Sequence, residues 1–266
     1  MSIQVISDLH LESPKCYHVY EIVPKAPYLA LLGDIGNIGP HTAEYLAFLR
    51  LQLKSFKAVL LVPGNHEAYH SKWDDTLSTL RIFEDECRQD TSIGQFVLLD
   101  RTTLRLPGTN VVILGCSLFS YIPPDKHITM GIHVNDFSQI TDWTTDNNNE
   151  MHAMDLNWLN DQVTELEKTD VSIMILTHWS PSRDPRVIDP KHMGSHITSG
   201  FCTDLSREPC FVSGKVKVWA FGHTHYNCDF EVGRRGGVGP LRLVTNQAGY
   251  ATDLAEGFDP GKTVVL

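Results

Sequence analysis

The sequence predicts a layered α/β fold. Short apolar runs alternate with amphipathic stretches at helical spacing through most of the chain, which is the signature of strands and helices packed in layers. The C-terminal third is richer in strand-like runs. Five of the apolar runs lead directly into Asp, Asn or His, so the polar chemistry collects where strands end.

In chain order, residues 3–7 read as a strand, and residues 28–32 form a second apolar run ending at Gly33-Asp34. Residues 41–56 are amphipathic, with Tyr45, Leu46, Leu49 and Leu53 at helical spacing. Residues 58–62 read as a buried strand that ends at Pro63-Gly64-Asn65-His66. A helix is expected from Asp74 or Asp75, as N-cap, to about Cys87, followed by strands over 96–99 and 111–115. Residues 118–150 break the rhythm, with Pro123-Pro124, the run Asn147-Asn148-Asn149 and little periodicity. They read as a lid-like insertion within a single domain spanning 1–266. Residues 151–167 form a helical pattern with Met154, Leu156, Trp158, Leu159, Val163 and Leu166 on its apolar face. A strand over 171–176 ends at Thr177-His178, and a long loop over 180–210 follows, carrying Pro181, Pro185, Pro190 and Gly194. The strand over 216–221 ends at Gly222-His223-Thr224-His225, and late strands are expected over 241–245 and 263–265.

A chain of 266 residues with 42% hydrophobic content can bury a full core without disulfides. Its formal net charge of −10 disfavours bulk electrostatic attraction to nucleic acid or to an anionic membrane. Cys16, Cys87, Cys116, Cys202, Cys210 and Cys228 form no C-x-x-C pair and read as thiols of a reducing compartment. The start, MSIQVISDLHLE, has neither a basic nor a long apolar segment, and no stretch approaches the roughly 18 apolar residues of a membrane span. A soluble, cytoplasmic protein without a membrane partner is expected; oligomeric state leaves no mark in the sequence.

The polar clusters are Asp8-Leu9-His10, Gly33-Asp34, Gly64-Asn65-His66, Thr177-His178 and Gly222-His223-Thr224-His225. Ligands of open α/β sheets collect at the carboxyl ends of strands, so one edge would gather all of these groups. In extended chain, residues two apart point to the same side. Asp8 and His10 would then chelate one ion, and His223 and His225 would share a site. The glycines before Asp34, Asn65 and His223 allow sharp turns near the ions. Mixed His, Asp and Asn donors suit Mn, Fe or Zn better than Ca or Mg, and the set contains no thiolate.

The ordered pattern D-x-H, G-D, G-N-H-E, H and G-H-x-H resembles that of the calcineurin-like metallophosphoesterases, over Asp8 to His225. The resemblance implies a four-layer α-β-β-α sandwich with two mixed β-sheets and two divalent transition-metal ions at the strand C-terminal edge. It implies Asp8, His10 and His225 as ligands of a first metal, Asp34 as a bridge, and Asn65, His178 and His223 as ligands of a second. His66 matches the family's catalytic histidine, which contacts phosphoryl oxygens or protonates the leaving group. Glu67 completes the motif, either orienting His66 or lying at the surface. Two features depart from the pattern. Asn37 stands where G-D-x-x-D has its second Asp, and the segment 33–39 lacks the Arg of protein Ser/Thr phosphatases.

The implied activity is phosphoester hydrolysis by a metal-bridging hydroxide that attacks phosphorus. By analogy a phosphodiesterase acting on a small or nucleotide-like phosphoester is favoured. A phosphomonoesterase and a nucleotide pyrophosphohydrolase are the alternatives, and a nuclease is disfavoured by the acidic balance. A non-catalytic scaffold of the same fold would lack several of these ligands. Candidate substrate-binding residues are Arg183, Arg186, His192 and His196 in the loop after His178, together with Tyr226. Trp179 in that loop and His127, His133, Asn135 and Asp136 in the insertion are further options, whereas Arg234-Arg235 reads as a solvated turn.

Overall fold

The computed structural model describes residues 1–234 and 238–266. The first half runs β1 (Ser2–Ile6), β2 (Tyr28–Leu31), α1 (Thr42–Leu53), β3 (Ala58–Leu61), α2 (Trp73–Gln89) and β4 (Gln95–Leu98). Then come β5 (Thr102–Arg105), β6 (Val111–Gly115), the short helices α3 (His127–His133) and α4 (Asp136–Gln139), and the long helix α5 (Thr145–Leu166). The remainder is β7 (Ser172–Leu176), α6 (Pro209–Val212), β8 (Val216–Phe221), β9 (Asp229–Val232), β10 (Leu241–Thr245), β11 (Gly249–Tyr250), β12 (Asp253–Leu254) and β13 (Thr263–Val265).

The strands form two large mixed sheets, ordered β13-β1-β2-β3-β4 and β5-β6-β7-β8-β10-β9, plus a small β11-β12 hairpin. Within the first, β1 to β4 are parallel and β13 is antiparallel at the edge. Within the second, β6, β7, β8 and β10 are parallel and the antiparallel strands β5 and β9 close the two edges.

Side chains alternate between the faces of these strands, and both faces are covered, which is why the strands read as continuous apolar runs. Val5, Ala30, Leu60 and Val62 point from the first sheet toward Ile113, Met174, Val218 and Val244 of the second, forming the layer between sheets. Leu29, Leu31, Val59 and Leu61 point the other way, against Tyr45, Phe48 and Leu49 of α1 and Leu80 and Phe83 of α2. On the far side, Val112, Leu114, Ile173 and Ile175 pack against Leu159, Val163 and Leu166 of α5. The layers are therefore helix, sheet, sheet, helix.

Several boundaries differ from expectation. The helix expected over 151–167 starts at Thr145, because Thr144 and Asn147 form a reciprocal capping box. The asparagine run that reads as irregular is thus the helix's first turn. Within 118–144, α3 and α4 bury Ile122, Met130 and Val134 beside Ile197 of the long loop. α2 starts at Trp73 with Lys72 as N-cap, and Asp74 and Asp75 fall in its first turn, where the helix dipole favours carboxylates. The half-exposed edge strands β5 and β9 escape a search for apolar runs. Arg234 is not merely a solvated turn residue. It donates to the carbonyls of Phe211, Ser213, Val216 and Gly239, while Arg235 lies outside the described residues. All six cysteines are free, and no helix among the described residues is long and apolar enough to cross a membrane.

Candidate metal centre

The loops after β1, β2, β3, β7 and β8 deliver the polar clusters to one edge of the sandwich. Asp8, His10 and His225 bring donor atoms within 4.8 Å of one another, and so do Asp34, His178 and His223. Within the first group, Nε2 of His225 lies 3.3 Å from Asp8 Oδ1 and 3.1 Å from Nε2 of His10. Within the second, His178 Nε2 lies 3.4 Å from Asp34 Oδ1 and 3.1 Å from Asn65 Oδ1.

The backbone that makes this convergence is not extended. Asp8, His10, Asp34, His223 and His225 all have positive φ, between 46° and 67°. Left-handed backbone is costly for residues with a Cβ and persists only where its surroundings hold it. Spacing in an extended chain predicts that His223 and His225 share one site; the left-handed turns instead send them to different groups. Tight glycines complete the cradle. A Cβ on Gly64 would collide with the Asp34 carboxylate, and one on Gly222 would come within 2.6 Å of Asp8 Oδ2. Close approach, more than turning, requires glycine at these two positions; at Gly33, φ of +86° requires it as well.

Neighbouring groups set which atom of each side chain faces the site. His178 donates from Nδ1 to the Leu32 carbonyl at 2.6 Å, turning Nε2 inward. His223 makes a longer contact from Nε2 to the Gly200 carbonyl at 3.4 Å and stacks on Phe201. Asn65 donates its amide to Tyr69 and to Asp136 Oδ1 at 2.8 Å, which leaves its oxygen facing His178. Asn37 donates to the backbone carbonyl of His66 at 2.8 Å.

Asp8 and Asp34 are 0% and 2% exposed. Burial pushes both carboxyls up, and the neighbouring histidines, His225 beside Asp8 and His178 beside Asp34, outweigh it and hold both below the usual carboxylate range. The same pairing works on the rings. Burial opposes charging His178, and the Asp34 carboxylate outweighs it, raising His178 to about 9. His223 drops to about 3 through burial and repulsion by His178. A buried place with two carboxylates that draws protons onto imidazoles calls for positive charge. A divalent cation supplies that charge and is matched by the carboxylate, imidazole and amide donors present. These residues fit a dinuclear divalent metal site.

Glu67 lies neither at the surface nor against His66. It is 0% exposed, and its Oε2 accepts from the backbone N–H of Asp34 and Gly64 at 2.9 and 2.7 Å. Its Oε1 accepts from Ile35 N–H and the Tyr45 hydroxyl at 2.8 and 2.9 Å. It therefore ties the loop of Asp34 to the loop of Asn65. Burial and the Asp34 charge raise it to about 7, while His178 and the N–H donors act in the opposite direction. Glu12, which the sequence patterns pass over, is the carboxylate that touches His66, 2.9 Å from its Nδ1.

A cavity of about 390 Å³ opens onto Asp34, Asn65, His66, His223 and His225. Its walls come from the segment after α3 (His133 to Asp136), the long loop (Ile188 to Cys202) and the β11-β12 hairpin (Tyr250, Asp253). Of the five candidate substrate-binding residues, only His192 lines it. Arg183 and His196 line a separate shallow pocket. Arg186 is held by Asp184 at 2.7 Å and lies over the Phe230 ring. Tyr226 is outside the lining, and its carbonyl accepts from Thr245 and Gln247. Lys191, Tyr69 and Tyr250 line the cavity without having carried any sequence signal.

The profile of the family described as calcineurin-like phosphoesterase matches residues 1–227. An uncharacterised protein of Acanthamoeba polyphaga mimivirus is 26% identical over 286 aligned residues, covering 97% of this chain and 94% of its own length. Among solved structures, a phosphopantetheinyl hydrolase of Mycobacterium tuberculosis aligns with a TM-score of 0.62 at 16% identity, over 94% of this chain and 90% of that one. A dimetal phosphatase of Danio rerio aligns with a TM-score of 0.50 at 16% identity, over 94% and 88% of the two chains.

Proposed function

The chain belongs to the calcineurin-like phosphoesterase family, whose members hydrolyse phosphoesters at a dinuclear metal site, and on that premise we propose that it is a phosphodiesterase for small substrates with one phosphoryl group. The observation that carries the diester reading is the charge of the cavity wall. Among the described lining residues Lys191 is the sole Lys or Arg, and its ammonium lies 3.1 Å from Asp189 and 3.7 Å from Asp253. Among the described residues no free Lys or Arg lines the cavity for a second phosphate, which weighs against a pyrophosphate or nucleoside diphosphate substrate. The singly charged diester suits such a wall better than a monoester dianion. Val134, Ile188, Ile197 and Phe201 offer apolar surface for the diester's second substituent.

In this reading Asp8, His10 and His225 would hold one ion and Asn65, His178 and His223 the other, with Asp34 shared between them. Two divalent ions of the manganese, iron or zinc type would supply Lewis acidity toward the phosphoryl oxygens and toward water. Fixed backbone around Asp8 and Asp34 holds the carboxylates in place before substrate arrives. His66 lines the cavity, and its Nε2 lies 3.2 Å from the hydroxyl of Tyr250, which lines it as well. As a water-derived oxygen bonds to phosphorus, the ester P–O bond breaks and its electron pair moves to the leaving oxygen; His66 gives that oxygen the proton on Nε2 and recovers one from solvent. The segment 118–144 and the long loop act as cover over the site, with Asp136 steering Asn65.

The test is one panel on protein reconstituted with metal, whose content is measured at the same time. It compares an activated aryl monoester, an aryl diester, cyclic nucleotides and a dinucleotide pyrophosphate. Preference for the diester by at least about tenfold in kcat/KM is the expected result. Exclusive monoesterase activity, or preference for the pyrophosphate, overturns the diester reading. Two bound ions with no hydrolysis of any ester would leave a non-catalytic scaffold.

A further inference from the structure

One oxygen of Glu12 serves two histidines. Its Oε1 lies 2.9 Å from Nδ1 of His66 and 3.3 Å from Nδ1 of His10. An ionised carboxylate only accepts hydrogen bonds, so the facing nitrogen of each ring carries the hydrogen. Nε2 of each ring is thereby the atom turned toward the site: His10 Nε2 lies 3.1 Å from Nε2 of His225, and His66 Nε2 lies 3.2 Å from the Tyr250 hydroxyl. Among the described residues the other carboxylate oxygen, Oε2, is buried without a hydrogen-bond partner, so the side-chain bonding of Glu12 is directed at these two rings.

Among the described residues no other acid hydrogen-bonds the His66 ring. Both oxygens of Glu67 are occupied by N–H groups and Tyr45. Asn37, where the family pattern has an Asp, reaches the backbone of His66 rather than its ring. Apart from the Nε2 contact with the Tyr250 hydroxyl, the other contacts of the His66 ring are faces and edges, stacked on Tyr69 at 4.1 Å and edge-on to His10 at 4.3 Å. Such contacts tolerate a flip of the ring, which would exchange a nitrogen for a carbon at the working position. The hydrogen bonds at Nδ1, to Glu12, and at Nε2, with the Tyr250 hydroxyl, distinguish the two orientations, and of the two the one to Glu12 has a charged acceptor.

We propose that Glu12 is the positioning residue of the site, a single acceptor that orients the histidine serving the leaving oxygen and the histidine facing the first metal together. This rests on the assignment of His66 above. Two substitutions separate position from charge. Glu12→Gln can put its amide oxygen where Oε1 is and its NH₂ where Oε2 has no partner, keeping both hydrogen bonds. Glu12→Ala loses both.

The first measurement is made on the full chain without metal. The hydrogen-bonded Nδ1 proton of His66 should give a downfield proton resonance in the parent and in Glu12→Gln that is absent from Glu12→Ala and from His66→Ala. The second measures turnover of metal-loaded variants, with two ions per chain verified, on diesters with good and poor leaving groups. Glu12→Ala should lose about 100-fold in kcat on the poor leaving group and much less on the good one, while Glu12→Gln stays within about tenfold of the parent. Adding Glu12→Ala to His66→Ala should lose little more. The proposal is overturned if the resonance survives in Glu12→Ala, if Glu12→Gln is as damaged as Glu12→Ala, or if the two losses multiply. Full turnover of His66→Ala would instead sink the assignment of His66 itself.

Discussion

Replacing Glu67 should separate a folding role from a catalytic one. The carboxylate accepts four hydrogen bonds, from the backbone of Asp34, Ile35 and Gly64 and from the Tyr45 hydroxyl. In Glu67→Gln, the amide oxygen can sit at the Oε2 position and keep Asp34 and Gly64. Its NH₂ then meets Tyr45, whose hydroxyl can turn to accept, and Ile35, whose N–H cannot. The Ile35 N–H, at least, is left without a partner, at a cost of about 1–3 kcal/mol. In Glu67→Ala, three buried N–H groups and a hydroxyl lose their acceptor and a cavity opens. The bond losses do not add fully, so a cost of about 4–5 kcal/mol is expected. Urea unfolding of metal-free protein at pH 8, fitted for midpoint and slope, reads both values. The same variants should bind metal more weakly, in the same order, because the loops of Asp34 and Asn65 are no longer tied together. Equal destabilisation by Gln and Ala, or a Glu67→Ala cost below about 1 kcal/mol, would refute the idea that this carboxylate holds the two loops.

Asp34→Ala should lower metal occupancy at both positions, as read by elemental analysis after dialysis; two retained ions per chain would contradict a bridging role. His66→Ala should keep both ions and lose about 10²–10⁴ in kcat on an ester with a poor leaving group, and unaltered kcat on that ester would remove His66 from the chemistry. Asp136→Ala removes one of the two acceptors that orient the Asn65 amide, leaving Tyr69, and should weaken one of the two metal-binding steps about 10–100-fold by titration, leaving the other unchanged. Gly222→Ala places a Cβ 2.6 Å from Asp8 Oδ2 and should weaken metal binding through displaced Asp8; parent-like affinity would show that the cradle yields.

Much of the fold was legible because apolar strands and amphipathic helices are local patterns. β3, with Val59 and Leu61 facing α1 and α2 and Leu60 facing the other sheet, has to be apolar throughout, and its sequence shows it. The edge strands β5 and β9 were not legible, since half of each faces solvent and no apolar run remains. The first turn of α5 was hidden for another reason: Asn147 is a poor helix former whose side chain here caps the helix.

The candidate site divides along the same line. Asp8, His10, Asp34, Asn65, His178, His223 and His225 could be picked out from chain order alone, because parallel strands end on one edge and whatever follows them converges there. Which of His223 and His225 joins which group follows from the family resemblance but not from spacing, because it depends on left-handed backbone at both residues, and no spacing rule encodes that. Nor could the jobs of Glu12, Glu67, Asp136 and Tyr250 be read from position. Each acts through at least one partner distant in the chain, from Glu67 on Asp34, 33 residues away, to Tyr250 on His66, 184 residues away. A residue's type and its neighbours in the chain are written locally, whereas the acceptor that a buried donor finds is settled only when distant segments pack and leave it no water to bond.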